Sequence, residues 1–165
     1  MMKRDQSQGA DLYSYDVFQI LLDYEINRSQ RYPSPLTLLD IFIIPPPGQT
    51  PELRQAMDSA VASMLNSHLR SADIPARKGD QYLILLPTTD EKGGRSVCAR
   101  LLYIFKNLPS EETKLTFNLA AYIGLASHHG GPDLSGDILV QQAASALNHT
   151  RQQNIPAYAA YSDIQ

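Results

Sequence analysis

The stretch L-R-S-A-D-I-P-A-R-K-G-D-Q-Y-L-I-L-L-P, residues 69–87, decides how the rest of the chain is read. Its middle, Arg77-Lys78-Gly79-Asp80-Gln81-Tyr82, is a short polar turn. Ahead of it lies an extended piece held by Pro75, and behind it the apolar run Leu83-Ile84-Leu85-Leu86, closed by Pro87. This is the pattern of a β-hairpin whose second strand is buried on both faces. Gly79 supplies the backbone freedom of the turn and Asp80 places a carboxylate at its tip, which makes the tip a candidate site.

Outward from the hairpin, two periodicities alternate. Residues 11–31 carry Phe18, Leu22 and Ile26 at helical spacing, with Glu25, Arg28 and Arg31 on another face, and so predict an amphipathic helix. Residues 36–44 read as an apolar strand, stopped by Pro45-Pro46-Pro47-Gly48. Thr50-Pro51-Glu52 is a cap and first turn for a second helix running to Leu69. Past the hairpin, residues 89–107 predict a third helix, its start delayed by Gly93-Gly94. Residues 115–126 read as a strand, 137–153 as an alanine-rich helix and 155–161 as an edge strand. The order α-β-α-β-β-α-β-α-β predicts an α+β fold, helices on a mainly antiparallel five-stranded sheet.

With 165 residues, 43% of them apolar and 19% charged, the chain is long enough for one domain with a sizeable core. Residues 1–10 are polar and read as a flexible leader, leaving 11–165 as the domain. A net charge of -3 with scattered Lys and Arg argues against a nucleic-acid polymer as partner. Cys98 alone excludes an internal disulfide, and no run approaches a membrane span, which together predict a cytoplasmic protein without membrane insertion. Cys98 sits on an apolar helix face and reads as core; His68, His128, His129 and His149 form no convincing metal set.

The order and spacing of several segments make the chain resemble the GGDEF domain family, diguanylate cyclases that make cyclic di-GMP from two GTP on a palm-like α/β fold. They are Phe18, Leu22, Glu25, Arg28 and Arg31; V-A-S-M-L-N-S-H-L-R-S-A-D-I-P-A-R; Y-L-I-L-L-P; I-G-L-A; and A-A-S-A-L-N-H-T-R. Against that resemblance the signature is degenerate. The family's Gly-Gly-Asp/Glu-Glu-Phe turn stands here as Gly79-Asp80-Gln81-Tyr82, one residue shorter, with Gln81 neutral where the family has an acid. The family's metal-binding aspartate at the end of the first strand falls on Phe42; a register moved by two brings up Asp40, mid-strand in the apolar run. The segment that reads guanine in the family is replaced by the proline turn. Two-metal phosphoryl transfer needs several hard oxygen ligands around Mg²⁺, so the resemblance implies a domain without that cofactor and without cyclase activity. Arg151 matches a phosphate-facing lysine of the family, or is a solvated residue near a helix end.

A second family feature is retained. Its product-inhibition site, an Arg-x-x-Asp motif ahead of the turn, reads Arg70-Ser71-Ala72-Asp73, and Arg100 falls at the helper arginine, eighteen residues after Tyr82. The resemblance implies that Arg70, Asp73 and Arg100 bind cyclic di-GMP on one outward surface, the guanidiniums forking onto the O6/N7 edge or phosphate and the carboxylate accepting from the ring N1–H and amino group. The competing reading of the same tetrapeptide is an exposed i,i+3 ion pair. Three functions follow: a cyclic di-GMP receptor, with ligand-driven homodimerisation and a signalling protein as partner; a scaffold or oligomerisation domain without nucleotide contact; and, more distantly, an active cyclase.

Overall fold

The computed structural model describes residues 12–165, so the expected leader lies outside the described residues. A two-residue strand β1 (Tyr13–Ser14) leads into α1 (Tyr15–Arg31), where Ser14 caps the helix by accepting from the Val17 amide. The strand β2 (Leu36–Ile44) and helix α2 (Pro51–His68) follow; Thr50 caps α2 and Pro51 opens it, where a missing N–H costs nothing. The hairpin is β3 (Ile74–Lys78) and β4 (Gln81–Pro87), joined by Gly79 and Asp80 alone. Gly79 has φ +58°, as the first position of a tight type II′ hairpin turn demands. Its tip is therefore tighter than the polar run of residues 77–82 suggested.

Helix α3 (Glu91–Phe105) starts at its cap Asp90 without delay. Gly94 is a packing requirement instead, because a Cβ there would collide with Thr37 and Leu125. The strand expected over residues 115–126 is two elements. A short ribbon pairs β5 (Leu108–Pro109) with β6 (Thr116–Phe117), and β7 (Ala120–His128) enters the main sheet. Helix α4 (Gly136–Gln153) ends at Asn154 in the left-handed conformation. The last strand is shorter than expected, β8 (Tyr158–Ala160), and a helical turn α5 (Tyr161–Ile164) closes the chain.

Among the described residues the main sheet has six strands in the order β1-β3-β4-β2-β7-β8. Its four inner strands are antiparallel neighbours, and the two edge pairings are parallel, so the mainly antiparallel α+β architecture is observed with one short strand added. Side chains alternate across β2. Leu39, Ile41 and Ile43 join the core under α2 and α3, while Leu36 and Leu38 join the core under α1 and α4. Residues 82–86 of β4 are all buried, as an apolar run without alternation predicts. Cys98 is fully buried and desolvation pushes its thiol well above the ordinary range, so it is core and not a nucleophile. Among the described residues no helix is long and apolar enough to cross a membrane.

Candidate functional site

Two places collect the residues singled out in the sequence, and they differ in where their charges go. The first is the hairpin tip. Asp80 is exposed there and lies 3.4 Å from Arg54 Nη2 of α2. Arg54 also reaches Asp58, at 3.4 Å, and Asp58 takes a closer contact of 2.9 Å from Arg77 Nη1. The Arg77 Nε donates to the Gly79 carbonyl oxygen at 3.0 Å, and its guanidinium stands 5.5 Å from the centre of the Tyr82 ring. Tyr82 is buried, which pushes its phenol up to about 12, and its hydroxyl points to Asp58 at 3.5 Å. The tip is thus braced to α2 by two arginines and two aspartates.

Behind the turn, on the α1 and α4 face, lies Asp40. Its carboxylate is only 5% exposed and Oδ1 accepts from Gln81 Nε2 at 2.9 Å. Burial raises it to about 6 despite the opposing charge of Lys78 and the Gln81 hydrogen bond. The residue set aside in the sequence as a mid-strand oddity is therefore the acid that meets the turn. The signal was available: an aspartate inside an apolar strand is costly unless something satisfies it. Phe42 lies opposite Gln81 in the β2–β4 register, and the Arg151 guanidinium of α4 stacks over its ring at 4.0 Å. Lys78 is similarly drawn over Tyr15, its Nζ 4.4 Å from the ring centre. Position along α4 follows from Gly124 of β7, where any Cβ would overlap the backbone of Ala143 and Leu147.

These residues do not fit a divalent cation. Of the three carboxylates, Asp40 is buried and committed to an amide donor, while Asp58 and Asp80 face guanidiniums. Among the described residues no three of His, Cys, Asp and Glu cluster so as to hold a metal. The adjacent His128 and His129 stack on each other, ring centres 4.5 Å apart, and His128 Nδ1 accepts from the Gly130 amide at 2.9 Å.

The second place is the loop from α2 into β3. Leu69, extended at the end of α2, turns the chain out, and the Asp73 amide closes a turn onto the Arg70 carbonyl oxygen at 3.0 Å. Asp73 is 3% exposed: its Oδ2 accepts from the Arg70 amide and its Oδ1 from Arg70 Nη2, both at 2.8 Å. The same Nη2 donates to the Pro87 carbonyl oxygen at 2.7 Å and reaches Thr89 Oγ1 at 2.9 Å. Arg70 thus pins the α2–β3 loop to the end of β4, yet its side chain remains 54% exposed. Arg100, one of the exposed residues of α3, donates to the His68 carbonyl oxygen at 3.3 Å, which places it two residues from Arg70. The expected trio is therefore brought together with one correction: Asp73 does not face outward, because its carboxylate is consumed in folding the loop around Arg70. Arg54 and Asp58, which brace the hairpin tip, were not anticipated, since nothing marks them on a charged helix face.

A fold of this topology is the palm-like α/β fold of nucleotidyl-cyclase-like domains. The family model for "Diguanylate cyclase, GGDEF domain" matches residues 59–155, and the chain belongs to the GGDEF domain family. Solved structures agree on the fold. The GGDEF domain of DgcB from Caulobacter crescentus, in complex with c-di-GMP, is 18% identical with a TM-score of 0.74 over 98% of this chain and 96% of that one. The GGDEF domain of FimX from Pseudomonas aeruginosa is 16% identical with a TM-score of 0.75, covering 97% of this chain and 98% of that one. The diguanylate cyclase SiaD from Pseudomonas aeruginosa, in complex with its activator SiaC, is 19% identical with a TM-score of 0.74, covering 90% of this chain and 58% of that one. No curated protein matches the chain.

Proposed function

We propose that this GGDEF domain is a cyclic di-GMP receptor that binds through Arg70 and Arg100, with Asp73 holding Arg70 in place, and that it has lost cyclase activity. One observation carries the binding half: two exposed guanidiniums converge on the His68–Arg70 loop, and the one carboxylate with them is buried. That leaves a net positive charge at an exposed surface, which suits an anionic ligand bearing guanine O6/N7 edges. The DgcB domain is a c-di-GMP complex on the same fold, which supports the ligand class.

The loss of catalysis rests on the other place. Gln81 is neutral and occupies Asp40; Asp80 is paired with Arg54; Arg151 stacks on Phe42. A two-metal mechanism has too few oxygen ligands left there, so neither Mg²⁺ nor GTP is a partner of this domain. Dimerisation around a ligand with two guanines, and a signalling protein that reads the bound state, complete the reading; the SiaD–SiaC complex is a precedent for a protein partner on this fold. Titration calorimetry with cyclic di-GMP, GTP and GDP tests it. The expected result is saturable heat with cyclic di-GMP alone, and silence with all three leaves the scaffold reading.

A further inference from the structure

The connection from β7 into α4 is held by an atom that changes its role with pH. Gly130 has φ +93° and Gly131 φ +100°, conformations that only glycine adopts readily, and a Cβ on Gly130 would meet the Ser34 backbone and Ser29 Oγ. The loop therefore lies directly on the passage from α1 into β2. The Gly131 amide donates to the Ser29 carbonyl oxygen at 2.9 Å, and Gln30 Nε2 donates to the Leu134 carbonyl oxygen at 2.6 Å, one residue before Ser135 caps α4. The Gly130 amide donates to His128 Nδ1 at 2.9 Å. An amide N–H only donates, so Nδ1 holds a lone pair and the proton of the neutral ring is on Nε2. Proton uptake at Nδ1 sets two donors face to face and breaks this bond.

We propose that His128 is an acid-sensitive latch, which holds the β7–α4 loop on the end of α1 while neutral and releases it when Nδ1 takes up a proton. The latch stands whether or not the Arg70 surface binds a ligand. His128 is half-buried, so solvent protons reach it. The groups that face it come from three sides. The His129 ring is stacked 4.5 Å away, so charge on one ring opposes charge on the other. Asp133 acts on it from the same loop. Asp90 and Glu91, at the start of α3, share with both histidines a hollow of about 390 Å³, where a released imidazolium has room and opposite charge. Those two carboxylates are already engaged, Asp90 with the Gly93 amide and Glu91 with Arg95 and Ser162, so they receive the ring without holding it beforehand. Burial first, and then His129, hold the His128 ring below the ordinary imidazole range, against the opposing pull of Asp133. A lowered value means that the latched state binds the proton less tightly than the open one. Its stabilisation is complete in neutral solution and is lost as pH falls through and below the ordinary imidazole range.

Amide exchange and ring-nitrogen shifts by NMR test this on the full chain, in the parent, His128→Asn and His128→Ala. At about pH 7.5 the parent's ring shifts should show an unprotonated Nδ1. Protection of the Gly130 and Gly131 amides should fall about tenfold by about pH 5, the scale of one lost hydrogen bond, while the amides of β4 keep theirs. An asparagine oxygen accepts from the amide two residues on and does not titrate, so His128→Asn should stay protected at both pH values. His128→Ala should lose the protection at both. A proton on Nδ1 in neutral solution, or loop protection in the parent that stays constant while the ring titrates, would overturn the latch, and both readings come from the parent even where a variant fails to fold. Equal acid loss of protection in the parent and His128→Asn would assign the effect to another group and overturn it as well.

Discussion

At the hairpin tip two arginines face two aspartates within the chain, whereas on the Arg70 surface two arginines stand beside one buried carboxylate, which pairs with Arg70 while Arg100 meets only a backbone carbonyl. The first arrangement is closed: each guanidinium has an internal partner and the turn is braced to α2. The second is open, with guanidinium surface left to solvent. A site that has lost its ligand can satisfy its charges internally, since an unpaired charge near a protein surface is tolerated but gains nothing. Leftover charge of one sign is what an anionic ligand can use. The contrast is the ground for the proposal that ligand binding belongs to the loop and not to the signature turn.

The largest effect expected is on catalysis. Incubation with GTP and Mg²⁺ or Mn²⁺ should yield no cyclic di-GMP by chromatography, and Gln81→Glu should not restore it. Product that disappears in an Asp80→Ala control would reopen the tip as an active site. Next in size is the strand that joins the two regions. Leu85 is fully buried on β4, and Leu85→Ala should cost about 2 to 5 kcal/mol by denaturant unfolding; a cost below 1 would mean that the sheet centre is not where packing is tightest.

The third prediction concerns Asp40. Its folded pKa of about 6 lies above the ordinary carboxylate value, so the folded state holds this proton more tightly than the unfolded chain. Its contribution is full below pH 4 and is lost as pH rises through 6. Asp40→Asn should therefore stabilise the domain at pH 7.5, by up to about 3 kcal/mol, with the gain shrinking toward pH 4. Equal stability of the two proteins at all pH values would show that the Gln81 hydrogen bond already offsets the burial. The smallest effect is at the tip. Asp80 is exposed, so Asp80→Ala should change stability by less than about 1 kcal/mol, and less still in high salt. Asp73→Ala is the sharper comparison: it strands the Arg70 amide and guanidinium and should cost about 1 to 3 kcal/mol.

How much of this was legible follows from what kind of signal each residue carries. The uninterrupted run of residues 83–86 announced a central strand, and Thr50-Pro51 announced a helix start, because both are local patterns. Gly93 and Gly94 misled, since a glycine pair reads as a breaker until the neighbour it makes room for is known. The β5–β6 ribbon was invisible because two-residue strands carry no period. At the site, Arg70, Asp73 and Arg100 were singled out by the family resemblance, but burial of Asp73 depends on how the loop closes. The Asp40–Gln81 bond crosses between strands, and only the register brings it about.

The central claim is tested most directly by titrating cyclic di-GMP into the parent and into Arg100→Ala. Arg100 is the right probe, because it is exposed and its single contact at 3.3 Å leaves the fold independent of it, unlike Arg70. The account predicts saturable binding by the parent and an affinity at least about tenfold lower for the variant, the loss of one charge-assisted contact. Equal affinity in the two proteins, or no binding by well-folded parent at high micromolar ligand, would contradict it.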